Sequence, residues 1–185
     1  MKNLFLTIVF SVIIINIGFA QGKYFTRTGH ISFFSEAALE NIDAHNNQGT
    51  CILDSESGEL ALSVLIKGFE FEKALMQEHF NENYLESHKF PKSTFKGKIT
   101  NLDDVNFDGN GKYNVKFEGD LTIHGETNAV SSAGILEVAD NTINASASFP
   151  VTVKDYKIKI PKTVIDNIAK VVEVKVELKL EPYKR

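Results

Sequence analysis

From Gln21 onward, apolar residues recur at every second position, and that period confines the chain to an antiparallel all-β fold. Leu60, Leu62, Val64 and Ile66 alternate with Ala61, Ser63, Leu65 and Lys67. Tyr113, Val115, Phe117, Gly119, Leu121 and Ile123 alternate with Asn114 through His124. Ile143 to Val153 and Val172 to Leu180 repeat the pattern, the latter against Glu173, Lys175, Glu177 and Lys179. Each run is a strand with one wet and one dry face. Weaker strands fit Lys23–Arg27, Gly29–Ser35, Glu40–Leu53, Thr94–Leu102 and Asn128–Ala139. Turn chemistry at Asp54–Gly58, Asp108–Lys112 and Ala139–Asn141 separates the strands. The expectation is one meander of eight or nine strands, hence a sandwich or a closed barrel.

One segment breaks the period. From Gly68 to Ser87, Phe71, Leu75, Met76, His79 and Phe80 stand at helical spacing, which predicts an inserted helix over 71–84. Pro91 pushes Phe90 out of the helical region, so the helix has ended by then. With no N–H, Pro91 belongs at a strand start or edge. Beyond it Ser93, Phe95, Gly97 and Ile99 face one way, and Thr94, Lys96 and Lys98 the other. The stretch from Leu85 to Ile99 is therefore the hinge from a covering helix back into the sheet. A second helical turn is expected near Thr163–Ala169.

The first twenty residues have the order of a secretory signal peptide: Lys2, an apolar run from Leu4 to Ile15, then Gly18, Phe19 and Ala20. Asn16 interrupts the run short of the roughly 20 apolar residues a spanning helix needs. Cleavage after Ala20 leaves residues 21–185 as one domain in the periplasm or outside the cell, with no membrane span. No Cys follows the cleavage point, which disfavours a lipid anchor. The loss of Lys2 from 20 basic residues leaves 19 against 24 acidic, so there is no basic excess to bind nucleic acid. Cys51 is the lone cysteine, so no disulfide can form within the chain. It reads as a small buried apolar residue.

The residues show no catalytic constellation. His79 and His88, His30 and His45, and the isolated His124 have no HxH or HExxH spacing, so no metal site is expected. His124 reads as a solvated rim residue, and His79 as a hydrogen-bonded residue on the apolar side of the helix. There is no GxSxG, and GNGK at Gly109–Lys112 is a hairpin rather than a phosphate loop. The carboxylates are spread over the wet strand faces, and there is no Trp to stack on sugars. Fourteen Phe, with small residues such as Ala145 and Ala147 on dry faces, suit a solid core and a lined cavity equally. Eight-stranded barrels lie at that boundary.

Four stretches together resemble the YceI-like family: KFPKSTF at Lys89–Phe95, GDLTIHGETNAV at Gly119–Val130, FPVTVKDYKIKIP at Phe149–Pro161, and the final run to Leu180. The sequence departs from the family pattern after LTIHG, where Glu126, Thr127 and Asn128 stand, and in the helical insert. The resemblance implies a lipocalin-like antiparallel barrel of about eight strands that binds a polyisoprenoid or quinone-type lipid, with no other cofactor, no metal and a tendency to homodimerise. It implies binding rather than catalysis. Lining residues are then expected among Phe95, Ile99, Val115, Phe117, Leu121, Ile123, Ala145, Ala147, Phe149, Val174, Val176 and Leu178. Lys92, Lys96 and Lys98 are candidates for an anionic head group. Two other readings stay open: an interaction module with a solid barrel, and an enzyme acting on an isoprenoid-like ligand through polar groups converging inside.

Overall fold

A computed structural model describes residues 22–36, 41–161 and 168–183. In chain order the elements are β1 (Lys23–Ser35), β2 (Ile42–Asp54), β3 (Glu59–Leu65), β4 (Glu70–Phe71), α1 (Ala74–His79), β5 (Lys92–Ile99), β6 (Gly111–Ile123), β7 (Glu126–Ala139), β8 (Thr142–Thr152) and β9 (Val171–Pro182). All pairings are antiparallel, in the order β1-β9-β8-β7-β6-β5-β3-β2, and β2 pairs back onto β1. The sheet thus closes into an eight-stranded barrel, which removes its open edges. The two-residue β4 is a ninth strand, held beside β2 by Ala44–Phe71 and His45–Glu70.

The separate strands expected at Lys23–Arg27 and Gly29–Ser35 are one strand. The register of β1 against β2 shifts on both sides of Gly29, which lies opposite Gly49. An irregularity of this kind bends a long strand around a barrel without ending it. The helix expected over 71–84 is shorter. Phe71 belongs to β4, α1 covers Ala74–His79, and a π-helical turn carries Phe80–Tyr84. The signal peptide at 1–20 and nearly all of the turn expected near Thr163–Ala169 lie outside the described residues.

Interior side chains follow the period of two. On β6 Val115 and Leu121 are buried, and on β9 Val176, Leu178 and Leu180 are. The core is densest at the end away from α1. There Ile143 pairs with Leu180, the two are 0% and 1% exposed, and Cys51 is 1% exposed. Two tight turns with positive φ connect neighbouring strands: His124–Gly125 between β6 and β7, and Asp140–Asn141 between β7 and β8. Both lie in hairpins whose right-handed twist favours such turns.

Candidate ligand cavity

The barrel is hollow at the α1 end. A cavity of about 280 Å³ is bordered by β1, β2, β3, β5, β6 and β9, by Val151 at the end of β8, by Val153, Ile158 and Ile160 on the β8–β9 connection, and by the helical insert. Its boundary is almost wholly apolar. The polar side chains there are Ser35, His79, Tyr84, Ser93 and Thr94. Burial pushes the Tyr84 phenol above its usual range, so it presents a neutral hydroxyl. A second, inner cavity of about 110 Å³ continues toward the dense end, among Cys51, Leu53, Leu60, Val115, Phe117, Ala145, Ala147 and Leu178. Leu62, Phe95 and Leu121 border both spaces. Burial in these apolar surroundings pushes the Cys51 thiol up to about 12, so at neutral pH it behaves as an apolar wall residue rather than a nucleophile.

The helical insert covers the outer cavity through a single deep anchor. Phe80 is the one buried side chain among 74–84. Its ring sits 5.5 Å from Phe33, 5.6 Å from Phe69 and 4.9 Å from Phe71. Met76, His79 and Tyr84 also face the cavity, whereas Leu75 is 61% exposed. A six-residue α-helix has little stability of its own, so these contacts hold it in place.

The end of the insert is tied to the barrel rim. His124 Nε2 lies 3.0 Å from Glu86 Oε2, and Nδ1 lies 3.2 Å from the Tyr156 carbonyl. Each ring nitrogen therefore faces an oxygen acceptor, one from the insert and one from the β8–β9 connection. A Lys89 hydrogen bond and then the His124 contact hold the Glu86 carboxyl below the usual carboxylate range. The Phe90 ring packs edge-on against the imidazole at 4.6 Å. It also fills the space where a Cβ on Gly125 would stand, 2.5 Å from Phe90 Cε1. The His124 side chain is 10% exposed. The solvated rim reading of His124 is therefore corrected, because the positive-φ turn folds its ring back beneath Phe90.

The structure places the expected residues as follows. Phe95, Leu121, Ile123 and Val174 border the outer cavity. Phe95, Ile99, Val115, Phe117, Leu121, Ala145, Ala147, Phe149, Val176 and Leu178 border the inner one. Lys92, Lys96 and Lys98 are exposed and border neither, because they alternate with inward Phe95 and Ile99 and so stand on the outer face of β5. His79 is exposed on the helix while bordering the cavity, and among the described residues no hydrogen bond ties it to the barrel. Sequence reasoning missed the outer wall: Phe33, Phe69, Phe71 and Phe80 come from separate elements, and Ile158 and Ile160 from a connection without period.

Elsewhere, His30 and His45 meet on the outer wall. His30 Nε2 lies 3.2 Å from His45 Nδ1, flanked by Glu177 at 2.9 Å and Asp43 at 3.3 Å. Among the described residues no group of three or more His, Cys, Asp or Glu side chains is placed to hold a metal. A hollow of about 480 Å³ near Gln48, Leu65, Lys67 and Pro91 is bounded mostly by exposed residues, with Ser87 buried beside it. No helix among the described residues is long and apolar enough to cross a membrane.

A closed antiparallel barrel with an apolar interior under a short helix defines a lipocalin-like small-molecule-binding architecture. The YceI-like domain family model matches residues 15–180, and the chain belongs to that family. Solved structures with the same fold include a polyisoprenoid-binding domain from Saccharophagus degradans implicated in plant cell wall breakdown, with TM-score 0.75 and 12% identity over 88% of this chain and 99% of that one. Burkholderia cenocepacia BcnA has TM-score 0.66 and 18% identity over 82% and 95% of the two chains. A Campylobacter jejuni YCEI protein has TM-score 0.60 and 16% identity over 81% and 90%. No curated protein matches the sequence.

Proposed function

We propose that this protein binds and carries a long-chain apolar lipid of isoprenoid type inside its barrel, in the periplasm or outside the cell after removal of residues 1–20. The observation that carries the reading is the apolar cavity of about 280 Å³ enclosed by the strands and the helical insert. Burial of an alkyl or isoprenyl chain is worth about 0.8 kcal/mol per CH2, less the cost of ordering a flexible tail. Such a ligand needs no polar partner along its length, in keeping with a wall of Ile, Leu, Val and Phe. The Saccharophagus degradans relative named as a polyisoprenoid-binding domain supports the same ligand class. The twelve inward residues named from the sequence, together with Phe33, Phe69, Phe71 and Phe80, form the proposed contact surface.

The interior holds space larger than a water molecule, against the solid-barrel reading. An enzyme would need polar groups converging inside. The described lining offers His79, Tyr84 and three hydroxyl side chains on the outer cavity, and Cys51, Ser132 and Ser146 on the inner one. Binding without turnover is the reading these residues support.

The test is transfer from a membrane. Protein would be incubated with phosphatidylcholine vesicles carrying a trace of labelled isoprenyl alcohol, then separated by flotation. Label in the vesicle-free protein fraction at near one per chain is expected. Label that stays with the vesicles at every protein concentration would overturn the reading.

A further inference from the structure

We propose that the row Leu62–Phe95–Leu121 sets the length of isoprenyl chain this barrel accepts, an inference that rests on the lipid-binding reading above. Leu62 pairs with Phe95, and Phe95 pairs with Leu121, so the three occupy one level on adjacent strands β3, β5 and β6. They are the residues common to both cavities. The row is therefore a partial partition between an outer space of about 280 Å³ and an inner one of about 110 Å³.

Phe95 keeps that partition partial. Its ring lies along the wall over Gly97 and Gly119, which face each other across β5 and β6. A Cβ on either glycine would stand 2.5 or 2.8 Å from Phe95 Cζ, closer than real contacts allow. The two glycines thus form a seat that lets the ring lie flat. A side chain at either would collide both with the ring and with a backbone carbonyl of the facing strand, 2.3 Å from its Cβ.

The volumes give the lengths. A 150 Å³ cavity holds a six-carbon ring, so the outer space has room for roughly eleven carbons and the inner one for roughly four more. A two-unit isoprenyl chain fits the outer cavity alone. A three-unit chain must send its last unit past Phe95 into the space beside Ala145, Ala147 and Phe117.

The experiment measures the affinities of geraniol and farnesol, two and three isoprene units, by displacement of a fluorescent apolar probe. Wild type, Ala145→Leu and Phe95→Leu are compared, each checked for folding by circular dichroism. Ala145→Leu, which fills the inner cavity, is expected to weaken farnesol by at least about tenfold, the equivalent of about two methylenes returned to water, and to leave geraniol within about twofold. Phe95→Leu, which widens the row, should raise the farnesol-to-geraniol ratio several-fold. Should Ala145→Leu fail to fold, Ala147→Val fills the same space and carries the same expectation. Equal losses for both alcohols, or no change in either variant, would overturn the length-setting role while leaving lipid binding intact. Displacement by neither alcohol in wild type would instead sink the lipid-binding reading, and this inference with it.

Discussion

Replacing Phe80 with alanine should uncover the cavity while leaving the barrel standing. Phe80 is 9% exposed and its ring contacts those of Phe33, Phe69 and Phe71 at 4.9 to 5.6 Å. Truncation of a buried Phe costs about 3–5 kcal/mol. The mobile insert can settle into the space opened here, which places the cost at the low end, about 3 kcal/mol. For a domain of this size, about 2–4 °C of Tm per kcal/mol gives a fall of about 6–12 °C if the insert melts with the barrel. A different outcome is expected, because Phe80 is the one buried side chain of residues 74–84, and that segment can detach on its own. The global Tm should fall by only a few degrees, while amide exchange across residues 74–84 accelerates by about two orders of magnitude, as about 3 kcal/mol of lost local protection dictates. Leu75→Ala, at a position 61% exposed, is the control and should change neither. Hydrogen exchange read by mass spectrometry resolves the segment. Unchanged exchange over 74–84 in Phe80→Ala would refute the anchor argument.

Three further outcomes follow from the same geometry. Glu86 has its carboxyl held below the usual range by Lys89 and then His124, so the folded state binds that proton less readily than the unfolded chain. Its contribution to stability is present above about pH 4.3 and is lost as pH falls through the lowered folded value. The Tm difference between wild type and Glu86→Gln should be present at pH 7 and shrink as pH is lowered below about 4.3; a constant gap down to strongly acidic pH would contradict the assignment. Cys51, with its thiol pushed up to about 12 and 1% exposed, should resist thiol reagents at pH 8 until the protein is unfolded in guanidinium, and rapid labelling of native protein would show the inner barrel to be open. Replacement of Lys92, Lys96 and Lys98 together with Gln should leave affinity for a diphosphate-headed isoprenoid unchanged, because all three stand on the outer face; a loss of tenfold or more would restore them as head-group contacts.

Much of the barrel was legible because a side-chain period of two is written directly into β6, β8 and β9, where polar or charged residues alternate with apolar ones. Pro91 marked the return from helix to sheet for a reason confined to two adjacent residues. The division of β1 into two strands failed because Gly29 looks like a break until its partner Gly49 is known, and pairing is not local. The helix was overextended at its start because Phe71 satisfies the helical spacing and a strand equally, and the contact with Ala44 decides between them. For the cavity, alternation names the residues that face inward but cannot say whether their volumes fill the space. That depended on two glycines letting Phe95 lie against the wall and on a four-Phe cluster assembled from β1, the β3–β4 region and the insert. His124 was misread because its neighbours in space, Glu86, Phe90 and Tyr156, lie more than thirty residues away on either side.

The most direct test of the central claim is native mass spectrometry of the protein purified from its own compartment without detergent, followed by solvent extraction of whatever is bound. The account predicts a discrete added mass at near one per chain that extracts as an isoprenoid or similar long-chain lipid. A protein that is empty as isolated, and stays empty after incubation with polyprenyl lipids, would contradict it.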